Sequence, residues 1–185
     1  MIRRKNLRAV WLNILTVCTI LLVHSPFAMA ETATPKEVTA AYLYHFPKFI
    51  EWPDDTEFAQ QQSFDIAILG NTGVADAMAV LSGRNIKHTS LAVRPCEHIA
   101  CTDSAAVVFV GRTEQQHVAQ LLHRLQGKPV LTVSDIHGFA AHGGMIEVVF
   151  SHGRATFIIN HEAMRQAHLQ ARAQLLELAI QVIGR

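Results

Sequence analysis

Ala105-Ala106-Val107-Val108-Phe109-Val110-Gly111-Arg112-Thr113-Glu114-Gln115-Gln116 is the stretch that decides the fold. Its unbroken apolar run suits a strand covered on both faces, and so a central place in a partly parallel sheet. Gly111 ends the strand, and Thr113 with Gln116 three positions later reads as a capping box that opens a helix. Val118, Leu121, Leu122 and Leu125 then recur at helical spacing until Gly127, and Pro129 to Val133 resumes as a strand.

The same alternation continues upstream. Phe64 to Leu69 is a second buried strand followed by a glycine, Gly73 to Leu81 a short helix, and Ile86 to His88 with Leu91 to Arg94 two short strands or one bent one. Thr34-Pro35-Lys36-Glu37 is another capping box, with proline at the first helical position. Val38, Ala41, Tyr42, Phe46, Phe49 and Ile50 follow at three- and four-residue spacing, which predicts a helix running to about Trp52 and kinked at Pro47. Trp52-Pro53-Asp54-Asp55 ends it.

Downstream, Met145 to Phe150 and Ala155 to Ile159 read as strands joined by the hairpin turn Ser151-His152-Gly153-Arg154. Asn160 is placed to cap a helix, and the sequence from His161 to Ile183 is expected to be helical, bent near Leu169, with Leu175, Leu176, Ala179 and Val182 as its buried stripe. The expected fold is therefore α/β: a single domain whose mixed, mostly parallel sheet has helices on both faces and an antiparallel hairpin near one edge.

The first thirty residues read differently. Arg3, Arg4, Lys5 and Arg8 precede an apolar run from Ala9 to Leu22, and Ala28-Met29-Ala30 closes it, the three-part pattern of a cleavable secretory signal peptide. The run falls short of the ~20 residues that span a bilayer core. Residues 1–30 are thus expected to be a cleaved leader and residues 31–185 the exported domain. The formal net charge is +1, and losing four basic side chains leaves a mildly acidic protein with no basic footprint for nucleic acid. Half of the residues are hydrophobic and 17% charged, which predicts a well-buried domain and not a disordered chain.

Cys18 leaves with the leader, so Cys96 and Cys101 remain, spaced C-x4-C between apolar segments. In an oxidising compartment they are expected to pair and to pin the approach to the next strand; a short, reducible bridge also leaves a redox switch open. Zinc needs about four ligands, and no second cysteine pair exists. Ten histidines follow the leader, none in the i,i+4 pattern with a glutamate that marks a metallohydrolase, so no metal is expected.

Two turns are candidates for a small anionic or nucleotide-like ligand. Gly70-Asn71-Thr72-Gly73 and Gly111-Arg112-Thr113 each join a strand to a helix, and parallel strands bring both to one carboxyl edge, with Asn71, Arg112 and Thr113 as the reaching side chains. Neither has a full dinucleotide fingerprint or a Walker lysine. For hydrolysis, Ser134-Asp135 and Ser151-His152 lack the G-x-S-x-G elbow, and no carboxylate pair is evident, so no catalytic residue is assigned. Phe139, in Gly138-Phe139-Ala140-Ala141-His142-Gly143-Gly144, reads as a core plug or as an anchor for another protein.

Several stretches together resemble the YfiR-like periplasmic proteins. Val38-Thr39-Ala40-Ala41-Tyr42-Leu43-Tyr44-His45-Phe46-Pro47-Lys48-Phe49-Ile50-Glu51-Trp52-Pro53 is similar to that family's V-K-A-A-F-L-Y-N-F-A-K-F-x-x-W-P helix pattern, with His45 and Pro47 in place of Asn and Ala. Cys101, Val108-Phe109-Val110-Gly111, Pro129 to Asp135, Gly138-Phe139, Gly143-Gly144-Met145-Ile146 and Phe157-Ile158-Ile159-Asn160 continue it. The resemblance implies a regulator and not an enzyme. It would bind the periplasmic sensor domain of an inner-membrane diguanylate cyclase and repress it, keeping cyclic-di-GMP and biofilm formation low. An outer-membrane lipoprotein would sequester it, and oxidation state would affect its stability. The alternative is a periplasmic small-ligand sensor of another membrane signalling system. Tyr42, Tyr44, Phe46 and Phe49 span more than half of the helix circumference, so part of that face is expected to meet a partner or a second copy, with no cofactor required.

Overall fold

Central burial of the apolar run at 107–110 organises the fold. In the computed structural model, which describes residues 33–53 and 63–184, these four residues form a strand and every one is buried. The leader at 1–30 and Asp54-Asp55 lie outside the described residues.

In chain order the elements are α1 (Pro35–His45), a 3-10 turn (Phe46–Phe49), β1 (Ile50–Glu51), β2 (Ser63–Leu69), α2 (Thr72–Ala79), β3 (Asn85–Ile86) and β4 (Thr89–Cys96). A 3-10 turn (Ile99–Thr102), β5 (Val107–Val110), a longer 3-10 stretch (Arg112–His117), α3 (Val118–Leu125) and β6 (Leu131–Ser134) follow. The chain continues with β7 (Ile146–Ser151), β8 (Arg154–Asn160), α4 (His161–Gln166), β9 (Gln170–Ala171), α5 (Ala173–Leu178) and β10 (Gln181–Ile183).

Eight strands form one sheet in the order β10-β8-β7-β6-β5-β2-β4-β3. β4, β2, β5, β6 and β7 run parallel, β7 and β8 form an antiparallel hairpin, and β10 is parallel to β8 outside it. The hairpin register, Ser151 opposite Arg154, leaves His152 and Gly153 as a two-residue turn with φ of 50° and 72°. Positive φ at both central positions is the turn whose twist matches that of the strands.

Side-chain alternation along β5 feeds two apolar layers. Val107 and Phe109 join Leu43, Phe46, Ile66, Ile68 and Met78 on one face. Val108 and Val110 join Leu69, Leu121, Leu125 and Phe139 on the other. Helices cover both faces, as the alternating sequence predicts. The Cys96–Cys101 disulfide joins the end of β4 to the 3-10 turn that leads into β5, with the two Cα atoms 5.8 Å apart.

Three local expectations are corrected. The first helix ends at His45 and is not a kinked helix to Trp52: Pro47 has no amide to donate, the chain tightens to 3-10, and Ile50–Glu51 pairs antiparallel with β9. Thr113 does not cap its helix. Its hydroxyl donates to the Gly70 carbonyl at 2.7 Å, and Gly111 takes the N-cap position. The carboxyl-terminal segment is not one bent helix but α4, β9, α5 and β10, broken where His168 adopts a φ of 59°. The Thr34 box does form, with the Glu37 carboxylate accepting from the Thr34 amide at 2.7 Å.

The strand order reverses between β2 and β5, because β2 leads to β4 on one side and β4 returns to β5 on the other. There the two backbones nearly touch. A Cβ added at Gly111 would lie 2.3 Å from the Gly70 carbonyl oxygen. Gly111→Ala is therefore expected to destabilise the protein by about 3 kcal/mol or more, since backbone and not a flexible side chain must yield. Urea denaturation of the two proteins measures it.

Candidate functional site

The carboxyl edge of the sheet gathers all three ligand candidates. Asn71 caps α2, its side-chain oxygen accepting from the Val74 amide at 3.0 Å. Thr113 is held by Gly70. Arg112 is exposed and reaches the end of β6, where its Nε lies 3.3 Å from Asp135 Oδ2 and donates to the Asp135 carbonyl oxygen. The sequence thus places these residues together correctly, but each is engaged within the protein. At this strand-order reversal, where open α/β sheets offer a ligand a crevice, the Gly70 and Gly111 backbones lie in close approach.

Beside it lies a polar arrangement that motif reading does not assign. Glu147, on β7, is 3% exposed. Its two carboxylate oxygens accept from the Gly138 and Ala140 amides at 3.0 and 3.1 Å, with His137 Nδ1 3.6 Å away. Asn160 donates to the Ala140 carbonyl at 2.8 Å and caps α4 through Ala163. Ser134 donates to Val110 and accepts from Ile136. The buried carboxylate and Asn160 thus hold the Gly138–Gly144 loop at Gly138 and Ala140, while Ser134 fixes the end of β6 just before it. Phe139 is 1% exposed and packs under Gly144, where a Cβ would meet its ring at 2.1 Å. Of its two sequence readings, Phe139 is the plug and is not available as an anchor. A carboxylate alternating with apolar residues at 146–150 is the signal that could have found Glu147.

Asp135 is the exception to this satisfaction. Its Oδ1 is buried with no hydrogen-bond partner among the described residues. Burial raises its pKa above the ordinary carboxylate value, and the Arg112 charge opposes that only in part.

The aromatic helix divides in the same way. Phe46 is 2% exposed, stacks on Tyr42 and meets Phe157 edge-on, so it belongs to the core and not to a partner surface. Tyr42 is half-buried and donates to the Ala155 carbonyl at 2.9 Å, tying α1 to the β7–β8 hairpin; burial raises its pKa. Tyr44 and Phe49 remain half-exposed. Tyr44 donates to the Asn85 carbonyl at 3.1 Å, and Lys48 Nζ lies 4.0 Å from its ring centre. Trp52 donates to the Pro129 carbonyl at 2.9 Å and packs edge-on against Phe64. The helix motif is therefore largely a docking seam between α1 and the sheet, with a narrower outward strip.

A family model described as YfiR/HmsC-like matches residues 36–180. The chain belongs to that family. It is a family of periplasmic regulators and not of catalysts, which fits a carboxyl edge whose polar side chains hold the loops in place. Among the described residues no helix is long and apolar enough to cross a membrane, and no three metal-ligating side chains cluster. Among solved structures, this family member is similar to the ABC domain from Streptococcus pneumonia in complex with L-Trp (TM-score 0.55, 9% identity, 80% of this chain and 60% of that one). It is also similar to a conserved domain protein from Vibrio cholerae O1 biovar eltor (TM-score 0.51, 10% identity, 80% and 60%). At such identities the likeness shows the fold alone, and the chain spans 60% of the length of each. No curated protein matches the sequence.

Two substitutions separate the polar roles. Glu147→Ala strands two buried amides, and at roughly 1–3 kcal/mol for each stranded group it is expected to lower stability by about 3 kcal/mol in urea titration. Asp135→Asn acts in the opposite direction. A carboxylate whose folded pKa lies above its unfolded value opposes folding at pH values above both, and that penalty disappears as pH falls through the folded value. The Asn variant is thus expected to melt a few degrees higher, roughly 2–4 °C, at pH 7. Its advantage should vanish in acid, which a series of melts from pH 7 to pH 3 tests.

Proposed function

We propose that this protein binds the periplasmic domain of an inner-membrane diguanylate cyclase and holds the enzyme inactive, lowering cyclic-di-GMP and biofilm formation. The YfiR/HmsC-like match across residues 36–180 carries this reading. The bonding of Asn71, Arg112 and Thr113 within the protein favours action through a surface over action through a small ligand at the sheet edge. The leader-like residues 1–30 supply the route to the compartment where such a domain is met. An outer-membrane lipoprotein that sequesters the repressor, and a second copy of the chain, are the further partners of this scheme.

Repression of this kind is a population shift. The repressor favours the inactive conformation of the cyclase only by its differential affinity for the two states, and a hundredfold suppression requires about 2.7 kcal/mol of preference. The half-exposed Tyr44 and Phe49 are the aromatic candidates for the contact surface, within a polar rim.

The test uses residues 31–185 and, in detergent, a full-length inner-membrane diguanylate cyclase with a periplasmic domain from the same organism. The repressor is expected to retain the cyclase on a column and to reduce its output of cyclic-di-GMP at least several-fold. Retention of no cyclase, with output unchanged at saturating repressor, would reject the proposal.

A further inference from the structure

Positive charge collects on one side of an acidic domain. Residues 31–185 carry twelve basic against fifteen acidic side chains, since the first thirty hold four basic and no acidic ones. Six of these cations are paired: Arg94 with Asp65, Arg112 with Asp135, Arg124 and Lys128 with Asp103, Arg165 with Glu162 and Arg172 with Glu51. Among the described residues Lys36, Lys48, Arg84, Lys87 and Arg154 form no ion pair, and the fold brings Lys48, Arg84 and Lys87 to one place.

Two contacts assemble that place. The Tyr44 hydroxyl bonds to Asn85 O, which fixes the end of α1 against the β3–β4 hairpin that carries Arg84 and Lys87. Lys87, at a φ of 56° in the hairpin turn, donates to Ile50 O at 2.9 Å and lies 4.8 Å from the Trp52 ring centre. Lys48 sits over Tyr44, with His45 Nδ1 3.5 Å from its amine. Arg172 adds a further cation at the margin, and Glu51, the carboxylate beside it, is engaged by Arg172 at 3.1 Å. Burial first and the Arg172 charge second hold the Lys87 pKa down, with Glu51 opposing. The amine is therefore held among cations, with its carboxylate neighbour already in use.

We propose that Tyr44, His45, Lys48, Arg84 and Lys87 form a docking surface for an acidic face of the partner's periplasmic domain. The inference rests on the binding role proposed above and adds the chemistry of the contact. Charge complementarity selects the occupant. Lys48 and Lys87, already fixed on aromatic rings and a backbone carbonyl, are preorganised for carboxylates, exposed Arg84 adds a third positive charge, and complementary charge chiefly speeds association and excludes wrong partners. A protein is favoured over a lipid surface because the most exposed large hydrophobic residues, Val80, Leu178 and Ile180, all lie outside this set, and its one aromatic ring, Tyr44, is half-buried, covered by Lys48 and tied to Asn85 through its hydroxyl.

Affinity for the purified periplasmic domain of that cyclase is measured at 50 and 300 mM NaCl. The wild type is expected to weaken about tenfold across this range, as exposed charges are screened. Lys48→Glu with Arg84→Glu should weaken binding at least about tenfold at low salt and remove the salt dependence. Arg84→Glu with His88→Glu, both at exposed positions, should act in the same direction, and it decides the matter should the first variant melt early. Lys128→Glu with Arg154→Glu, equal in charge change but placed elsewhere, should stay within about twofold. Equal effects of patch and control variants, or none from the patch, would overturn the proposal.

Failure of the wild type to bind the cyclase domain would reject the cyclase reading and not the patch. Immobilised poly-L-glutamate then decides: retention of the wild type but not of Lys48→Glu/Arg84→Glu upholds an acidic protein ligand, and no retention overturns it. Binding to phosphatidylglycerol vesicles without retention on poly-L-glutamate would assign the surface to a membrane and also overturn it.

Discussion

Two main chains meet at Gly70 and Gly111 without room for a side chain between them, and much of the molecule follows from that approach. It sets the ends of β2 and β5 at one level and places Thr113 over Gly70. It also sends the chain from each strand into its covering helix on opposite faces of the sheet. An α/β sheet normally opens at this point. Here the Gly70 and Gly111 backbones meet, and the side chains that the sequence offers to a ligand are bonded within the protein.

The parts legible in sequence were those governed by local pattern. The buried strands at 64–69, 107–110 and 131–134, the hairpin at 146–160 and the Asn160 cap all follow from apolar runs and turn residues acting over a few positions. Where the reading failed, a distant partner had overridden local preference. Thr113 has a capping-box neighbour but finds a carbonyl 43 residues away. Residues 170–171 and 181–183 lie in a segment of helical periodicity, yet the edges of Ile50–Glu51 and β8 recruit them as strands. Tertiary hydrogen bonding decides such cases, and a single sequence does not display it.

The site was legible as a set of positions but not as a set of roles. Asn71, Arg112 and Thr113 do share an edge, whereas their bonding within the protein depends on distances that spacing does not encode. Glu147 carried no motif, because a carboxylate that serves two loop amides needs no fixed partner in sequence. The aromatic helix combined two tasks, with Tyr42 and Phe46 turned to the fold and Tyr44 to the outer strip. Family membership joins these observations: its most recognisable stretches, the helix and the glycine loop, are chiefly the means by which the domain holds its shape.

Cys96 and Cys101 are the only cysteines after residue 30, so residues 31–185 admit a single intramolecular pairing. Oxidation of that span then has one intramolecular product and no mispaired isomer to correct, so an oxidant alone completes its covalent structure.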